Sequence, residues 1–456
     1  MQRLVAIIWL TWKAALRFRL FWVMVVLLIG SVVTLPLVIK DDGTARGFAQ
    51  ILLTYTLSVI TTLLGFSTLW LSCGTLARDI EENQMQVVAV KPIARWQIWL
   101  GKWLGLVSLN AVLLAIAGGS VFALMQWRSQ RLSPNEQRIL REEVLVARGS
   151  LKEPPRNIEA EAERLFNERT KDMPVNPAAA AIIKKQLQEA AKVDVRRPGA
   201  FRQWKINSGL RKNFLRNQPL FMRFRFYAAS TNALNTYYLR IVAGPEDSAQ
   251  AQVIDRTFAA NAVHEIRLQP NLWDSSGILN IFVQNRDSVV VAFPVDEDLE
   301  VLYREGGFVL NFTRALLIIL FWLALLAAIG LAAASFLSFP VAAFASVSLL
   351  LFAMSTGTLS SIVEAGTVMG VNEETGVAGK SVLDAVLIPM FKGMLGIFKF
   401  VEDFSPIDSL STGRSVAWET VGMAFAKIIL LLGGVIALFG MFMFHRRELA
   451  AAHNQA

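Results

Sequence analysis

Long apolar runs cluster toward the two ends of the chain, three on each side of a polar middle. A hydrocarbon core about 30 Å thick takes roughly 20 apolar residues in a helix. Leu20 to Ile39 meets that length, with Pro36 near its far end. Phe48 to Cys73 is the second run, and Trp103 to Met125 the third, with Trp127 at its expected interface. Leu310 to Ala334 is the fourth, and Arg314 lies near one end of it, where its stem can snorkel. After the short connection Ser335 to Pro340 comes the fifth, Val341 to Ile362; Val421 to Phe444 is the sixth. Each carries too little charge to oppose burial in lipid. The first run is too long for a signal peptide, and no small-residue cleavage site follows it before Lys40-Asp41-Asp42, so it reads as a retained anchor. Ser381 to Phe400 is also fairly apolar, but Pro389, Lys392 and Lys399 interrupt it. It reads as an interfacial or re-entrant helix, because a seventh span would carry His445-Arg446-Arg447 to the opposite side.

The polar middle changes period partway along. From Pro134 to Glu189 the composition is helical: Asn135 to Arg138, Asn157 to Thr170 and Ala178 to Ala190, broken at Pro154-Pro155 and Pro174. From Phe201 the period becomes two. Met222, Phe224 and Phe226 alternate with Arg223 and Arg225, followed by Tyr238 to Val242, Val263 to Leu268, Ile278 to Val283 and Ser288 to Pro294. Short alternating runs bounded by Pro, Gly, Asn and Asp predict antiparallel strands, and several in succession predict a β-sandwich, with a jelly roll as one form of it. The expected fold is therefore an α-helical polytopic membrane protein of six transmembrane helices, with an inserted extracytoplasmic helical and β-sandwich domain. Its parts are 1–129 (three spans), 130–200 (helical segment), 201–305 (sandwich) and 306–456 (three spans and the 381–400 segment).

Composition and charge sharpen this. Apolar residues make up 54% of the 456 and charged ones only 18%, against about 25% charged in a typical soluble domain. The formal net charge is +9. Its basic residues recur beside the apolar runs, at Lys13, Arg17, Arg19, Arg78, Arg95, Lys102, Arg446 and Arg447. That distribution favours topology signals and anionic lipid over nucleic acid, for which no module is visible. By the positive-inside rule the N-terminus, the loop after the second span and the C-terminus lie in the cytoplasm, as in a plasma (inner) membrane protein. Asp79, Glu81 and Glu82 dilute that loop's charge but count little toward orientation. The single cysteine, Cys73, allows no intrachain disulfide and reads as a small buried hydrophobe.

Candidate chemistry is sparse. There is no phosphate-binding lysine loop, no GxSxG elbow, no HExxH helix and no paired cysteine cluster. The reading is therefore not an enzyme, with no cofactor or metal bound by this chain. His264 has no second histidine nearby. In the middle domain Trp204, Tyr237 and Trp273 are candidate surface aromatics for recognising an envelope protein or a glycan; the alternative is that they pack in a core.

The most informative stretch lies between the second and third spans. Thr75-Leu76-Ala77-Arg78-Asp79-Ile80-Glu81-Glu82 leads through Val87-Val88-Ala89-Val90 to Lys91-Pro92, then through Arg95-Trp96 to Gly101-Lys102-Trp103. Mixed apolar and charged positions suit a helix lying at an interface, and Pro92 would end it. This pattern resembles the permease subunits of type-2 ABC transporters, as does the tight small-residue turn Ala333-Ala334-Ser335-Phe336-Leu337-Ser338-Phe339-Pro340. The resemblance covers 1–130 and 305–450 and implies that about 75–102 is a coupling segment packing on a cytoplasmic ABC ATPase subunit. Arg78, Asp79, Glu82, Val88, Pro92 and Arg95 are then candidate contacts. It further implies ATP and magnesium on that partner, and a second permease chain as homo- or heterodimer. The large external domain departs from the simplest members, whose outer loops are short, and so leaves the cargo open. A membrane-anchored binding or scaffold protein is the rival reading.

The orientation is testable directly. A Ser248→Cys variant is expected to react with a membrane-impermeant thiol reagent in spheroplasts; protection there, with labelling of a cysteine at the N-terminus, contradicts the topology.

Overall fold

The structure, a computed structural model, describes residues 2–38, 43–82, 93–154, 156–171, 177–229, 235–245, 250–295, 299–369, 379, 381, 383–402 and 404–447. The chain forms two compact units, Met1–Val146 with Gly307–Ala456, and Ala147–Gly306.

The first unit is helical. It opens with α1 (Gln2–Arg17) and α2 (Arg19–Val38), then α3 (Ala45–Glu81) and α4 (Arg95–Ser129). A short α5 (Pro134–Ile139) runs into a π turn, Leu140–Val144. Four of the apolar runs are continuous helices long and apolar enough to cross a membrane: α2, α3, α4 and, after the second unit, Phe308–Ala334. A fifth such helix, Trp418–Arg446, contains a π-helical stretch, Phe425–Gly433.

The expected fifth span differs. It is a pair of helices, Phe339–Met354 and Thr356–Ala365, bent by 68° at Ser355. Ser, Thr and Gly crowd the break (Ser355-Thr356-Gly357), and the Ser355 and Thr356 hydroxyls bond back to the carbonyls of Leu351 and Ala353. Such back-bonding bends helices. The segment expected to be interfacial or re-entrant is the helix Asp384–Glu402, with Pro389 inside it. It packs against Thr356–Ala365 through Leu359, Phe391 and Leu395. Asp384 closes this hairpin, accepting the N–H groups of Val368 (2.9 Å) and Ser381 (2.7 Å).

The second unit begins with β1 (Val146–Lys152), followed by the helices α6 (Ile158–Thr170) and α7 (Pro177–Ala191). Then come β2 (Val193–Arg196), β3 (Phe201–Asn207), β4 (Leu220–Phe224), β5 (Tyr227–Ala228), β6 (Thr236–Ala243) and β7 (Gln252–Ala259). The last four are β8 (His264–Leu268), β9 (Ile278–Asn285), β10 (Val291–Pro294) and β11 (Glu300–Gly307). The strands pair as β1-β11-β4-β8, β2-β10-β5 and β3-β9-β6-β7. Three short antiparallel sheets therefore share one core, and they do not close into the expected β-sandwich. Two strands arise where only helices were foreseen: β1 lies ahead of α6, and β2 follows α7 to pair with β10, from Val193 opposite Pro294 to Arg196 opposite Val291.

That core holds Trp204, Ile206, Met222, Phe224, Phe226, Tyr237, Ile241 and Tyr303, all essentially inaccessible. His264 joins its aromatic cluster, with ring centroids 5.5 Å from Phe224 and 5.1 Å from Phe258, and its Nε2 is 2.7 Å from the Ala259 carbonyl oxygen. Across the first sheet a ladder of buried charges links Arg148 to Glu265 (2.6 Å), Glu265 to Arg223 (3.0 Å) and Arg223 to Glu300 (3.5 Å). Arg223 stands directly opposite Glu300 on β11 and Glu265 on β8, the placement in which opposite charges attract across a sheet. At the turn before β9, burial pushes the Asp274 carboxyl up. The Ser276 hydroxyl and the N–H groups of Ile278, Ser276 and Gly277 outweigh this and hold it below the ordinary carboxylate range.

In the first unit the remaining helices are now α8 (Phe308–Ala334), α9 (Phe339–Met354), α10 (Thr356–Ala365), α11 (Asp384–Glu402), α12 (Pro406–Ser411) and α13 (Trp418–Arg446). Of the spans α8 is the most buried, and α2 and α13 are the least. Small residues set the closest approaches to α8. A side chain at Gly330 would collide with Ser72 of α3, and one at Gly440 would stand 2.9 Å from the Ala332 Cα. In lipid, where apolar burial drives little, such close packing is what holds helices together. Buried Asn311 adds a polar tie, donating to the Arg414 carbonyl (2.9 Å) and accepting the Val416 N–H (2.7 Å).

Candidate functional site

The basic ends of the spans converge. The C-terminal end of α3, the N-terminal end of α4, the α8–α9 turn and the C-terminal end of α13 meet through a connected set of side chains. Each has a local reason to be there. A helix leaves its last carbonyls without intrahelical donors, and basic side chains satisfy them and complement the negative end of the helix dipole.

Arg95 sits at the first position of α4, and its Nη1 donates to the carbonyls of Phe444 (3.1 Å), His445 (2.6 Å) and Arg447 (2.9 Å). It thereby caps the end of α13. Arg447 extends the chain of contacts, its Nη1 donating to Ala334 (3.1 Å) and Leu337 (3.3 Å) at the end of α8. Glu81, in the last turn of α3, accepts the Phe339 N–H (2.9 Å) that opens α9. Next to it Arg78 is an exposed residue whose guanidinium carbon lies 4.9 Å from the Phe18 ring centroid and 4.6 Å from that of Phe339. A planar cation between two aromatic faces is held by their quadrupoles.

One charge at this end is buried. The Lys102 side chain of α4 is 7% exposed and donates to the Asp79 carboxylate (2.5 Å) and to the Thr75 carbonyl (2.7 Å). An ammonium out of water needs a counter-charge and hydrogen bonds to be tolerated, and α3 supplies both. The pair therefore locks α3 to α4, the two helices on either side of residues 83–92. Glu82 caps α3, its N–H donating to the Arg78 carbonyl (2.8 Å). Val88 and Pro92 fall outside the described residues.

Of the residues singled out in the sequence, Arg78, Asp79 and Arg95 thus share one end of one bundle. Glu81, Lys102 and Arg447, which bind them to the other helices, are not among the candidate contacts: the sequence presents Glu81 and Lys102 within the permease-like stretch and as loop charges, and Arg447 as a topology charge. The aromatics of the inserted domain are corrected: Trp204 and Tyr237 are inaccessible and Trp273 is 7% exposed. Trp204 packs edge-on to Phe293 (5.4 Å) and Tyr237 edge-on to Phe226 (6.1 Å). They face the core because the alternation places them on the inner faces of β3 and β6, so they offer no surface for recognition.

Among the described residues no group of three or more His, Cys, Asp or Glu side chains converges as a metal site. The fold defines a polytopic membrane protein with several long apolar helices and an extracytoplasmic domain. No protein-family model matches the chain, and no curated protein matches it either.

Removing one partner of the α3–α4 pair is expected to cost more than removing both. Lys102→Met should destabilise the detergent-solubilised protein by about 3 kcal/mol, the lower end for a broken buried pair because Asp79 reaches solvent. Lys102→Met with Asp79→Leu should recover part of that loss. Thermal unfolding measures both, and equal loss in the single and double variants contradicts the lock.

Proposed function

We propose that this chain is the permease subunit of an ABC transporter complex in the inner membrane, with both termini in the cytoplasm. ATP is hydrolysed by a separate subunit that docks on residues 75–102, and a second permease chain completes the pathway. The observation that carries this reading is the network at the basic end. The two ends of the 83–92 segment are tied by named side chains to α8, α9 and α13, so a push on that segment is passed to the bundle rather than absorbed in a loose loop. A coupling element has to work in this way, because only differential contacts between two states can shift an equilibrium. The resemblance of the same stretch to type-2 permeases points in the same direction. ATP and magnesium belong to the partner in this account.

The rival reading is a membrane-anchored binding or scaffold protein. It draws support from the second unit, which has its own core and is joined to spans at both ends. In either case the domain acts by recognition, since movement of the spans or binding of an envelope partner would bias the other.

Co-purification from the native membrane separates the two. Arg78→Glu with Val88→Pro is expected to abolish recovery of an ATP-hydrolysing partner with the tagged chain. Undiminished recovery and undiminished ATPase stimulation by the double variant contradict docking at this segment.

A further inference from the structure

Lys427 is a cation set within an apolar span. It lies in the π-helical stretch Phe425–Gly433 of α13, a helix irregularity that recurs at functional positions. Its Nζ stands 4.7 Å from the Phe400 ring centroid and 5.2 Å from that of Phe404. Phe400 lies in the last turn of α11, and Phe404 follows that helix and is buried in the bundle core. Among the described residues no carboxylate lies within ion-pair distance of Lys427. The residues around it on α13, Met423, Leu430 and Leu431, are exposed and apolar. An ionisable group in a span is costly in lipid and usually marks a binding position.

Its depth indicates what it meets. Counted from Arg446, Lys427 lies roughly 28 Å along the helix at about 1.5 Å per residue, a little less for the π-helical turns. That is close to the ~30 Å thickness of the hydrocarbon core. With Arg446 at one boundary, the Lys427 backbone therefore lies at the far edge of the hydrocarbon core, within a lysine side chain's reach of the phosphates of the opposite leaflet. From there an exposed apolar stripe, Leu431, Val435, Leu438 and Phe442, runs back along the same helix face toward Arg446. The spacing by three and four residues keeps these side chains in line.

We infer that Lys427, Phe400 and Phe404 form a binding site for the phosphate of an anionic glycerophospholipid in the leaflet opposite the basic end, with one acyl chain lying along Leu431, Val435 and Leu438. The ammonium supplies the charge, and the two rings hold it toward the boundary and shield it from the acyl region. An anionic lipid is favoured over a zwitterionic one because the latter carries its own ammonium beside the phosphate, which would face the same cation. This site stands independently of ATPase docking, which concerns the other end of the bundle.

The test uses the full-length protein in nanodiscs of phosphatidylcholine containing phosphatidylglycerol, with retained lipid counted by native mass spectrometry after transfer to detergent. The wild type is expected to retain phosphatidylglycerol over phosphatidylcholine by about fivefold, the effect of one basic residue beside anionic lipid. Lys427→Gln should lose that preference and Lys427→Arg should keep it. Phe400→Leu, which leaves the charge in place, should weaken it and serves if the glutamine variant does not fold. Inorganic phosphate should not displace the lipid. An unchanged preference in Lys427→Gln or in Phe400→Leu overturns the site, as does no preference in the wild type. Displacement by inorganic phosphate also overturns it, showing an anion site that takes no acyl chain.

Discussion

Helices inside a bilayer gain almost nothing by burying apolar surface on one another, since lipid tails are as apolar as leucine. This bundle is held instead by close contact and by hydrogen bonds, and both converge on α8. Gly330 lets α3 approach it and Gly440 lets α13 approach it. Asn311 and Arg314 tie the other end of α8 to the 414–416 loop, with Arg314 donating to the Val416 carbonyl (3.1 Å). At the basic end Arg447 reaches its last carbonyl, at Ala334, and that of Leu337 in the turn that follows. The basic residues beside the spans, together with Asp79 and Glu81, thus fasten the helix ends together.

That double use explains how a partner on one face could act on the whole bundle. Lys102 and Asp79 join α3 to α4, Arg95 joins α4 to α13, Glu81 joins α3 to α9, and Arg447 joins the end of α13 to α8. Each link runs through a named side chain from one helix end to the next, so shifting one helix end loads its neighbour. The inserted domain continues from β11 into α8 without an intervening loop, Gly307 standing directly before Phe308. Covalently, then, the most buried span is also the one that carries the external domain.

The membrane part was readable from the sequence because length and polarity decide it. Among the described residues five of the six spans are single helices and the other is the bent pair; they differ chiefly at their ends, where α3 and α4 run on past the apolar run. The break at Ser355 escaped because an apolar run shows length but not the hydroxyl back-bonding that bends it. The helix α1 escaped because its face is mixed. Ile7, Thr11 and Ala15 are buried at helical spacing while Trp9, Leu10 and Leu16 stay exposed, so no long apolar run announces it. In the inserted domain the alternation gave strands but not their partners. Period two assigns an inner and an outer face, which is why Trp204 and Tyr237 belong inside, yet it says nothing about whether strands collect into two sheets or three. For the basic end, the sequence placed Arg78, Asp79 and Arg95 near one another along the chain. It held no sign that Arg95 caps a helix some 350 residues later in the sequence.

These side chains make the basic end one mechanical piece. Hydrogen–deuterium exchange of the full-length protein in nanodiscs, comparing the wild type with Arg95→Ala, measures it most directly. Faster exchange is expected in the last turn of α13 and, through Arg447, in the last turn of α8, with the second unit unchanged. Faster exchange confined to the first turn of α4, with α13 and α8 unaltered, would contradict it.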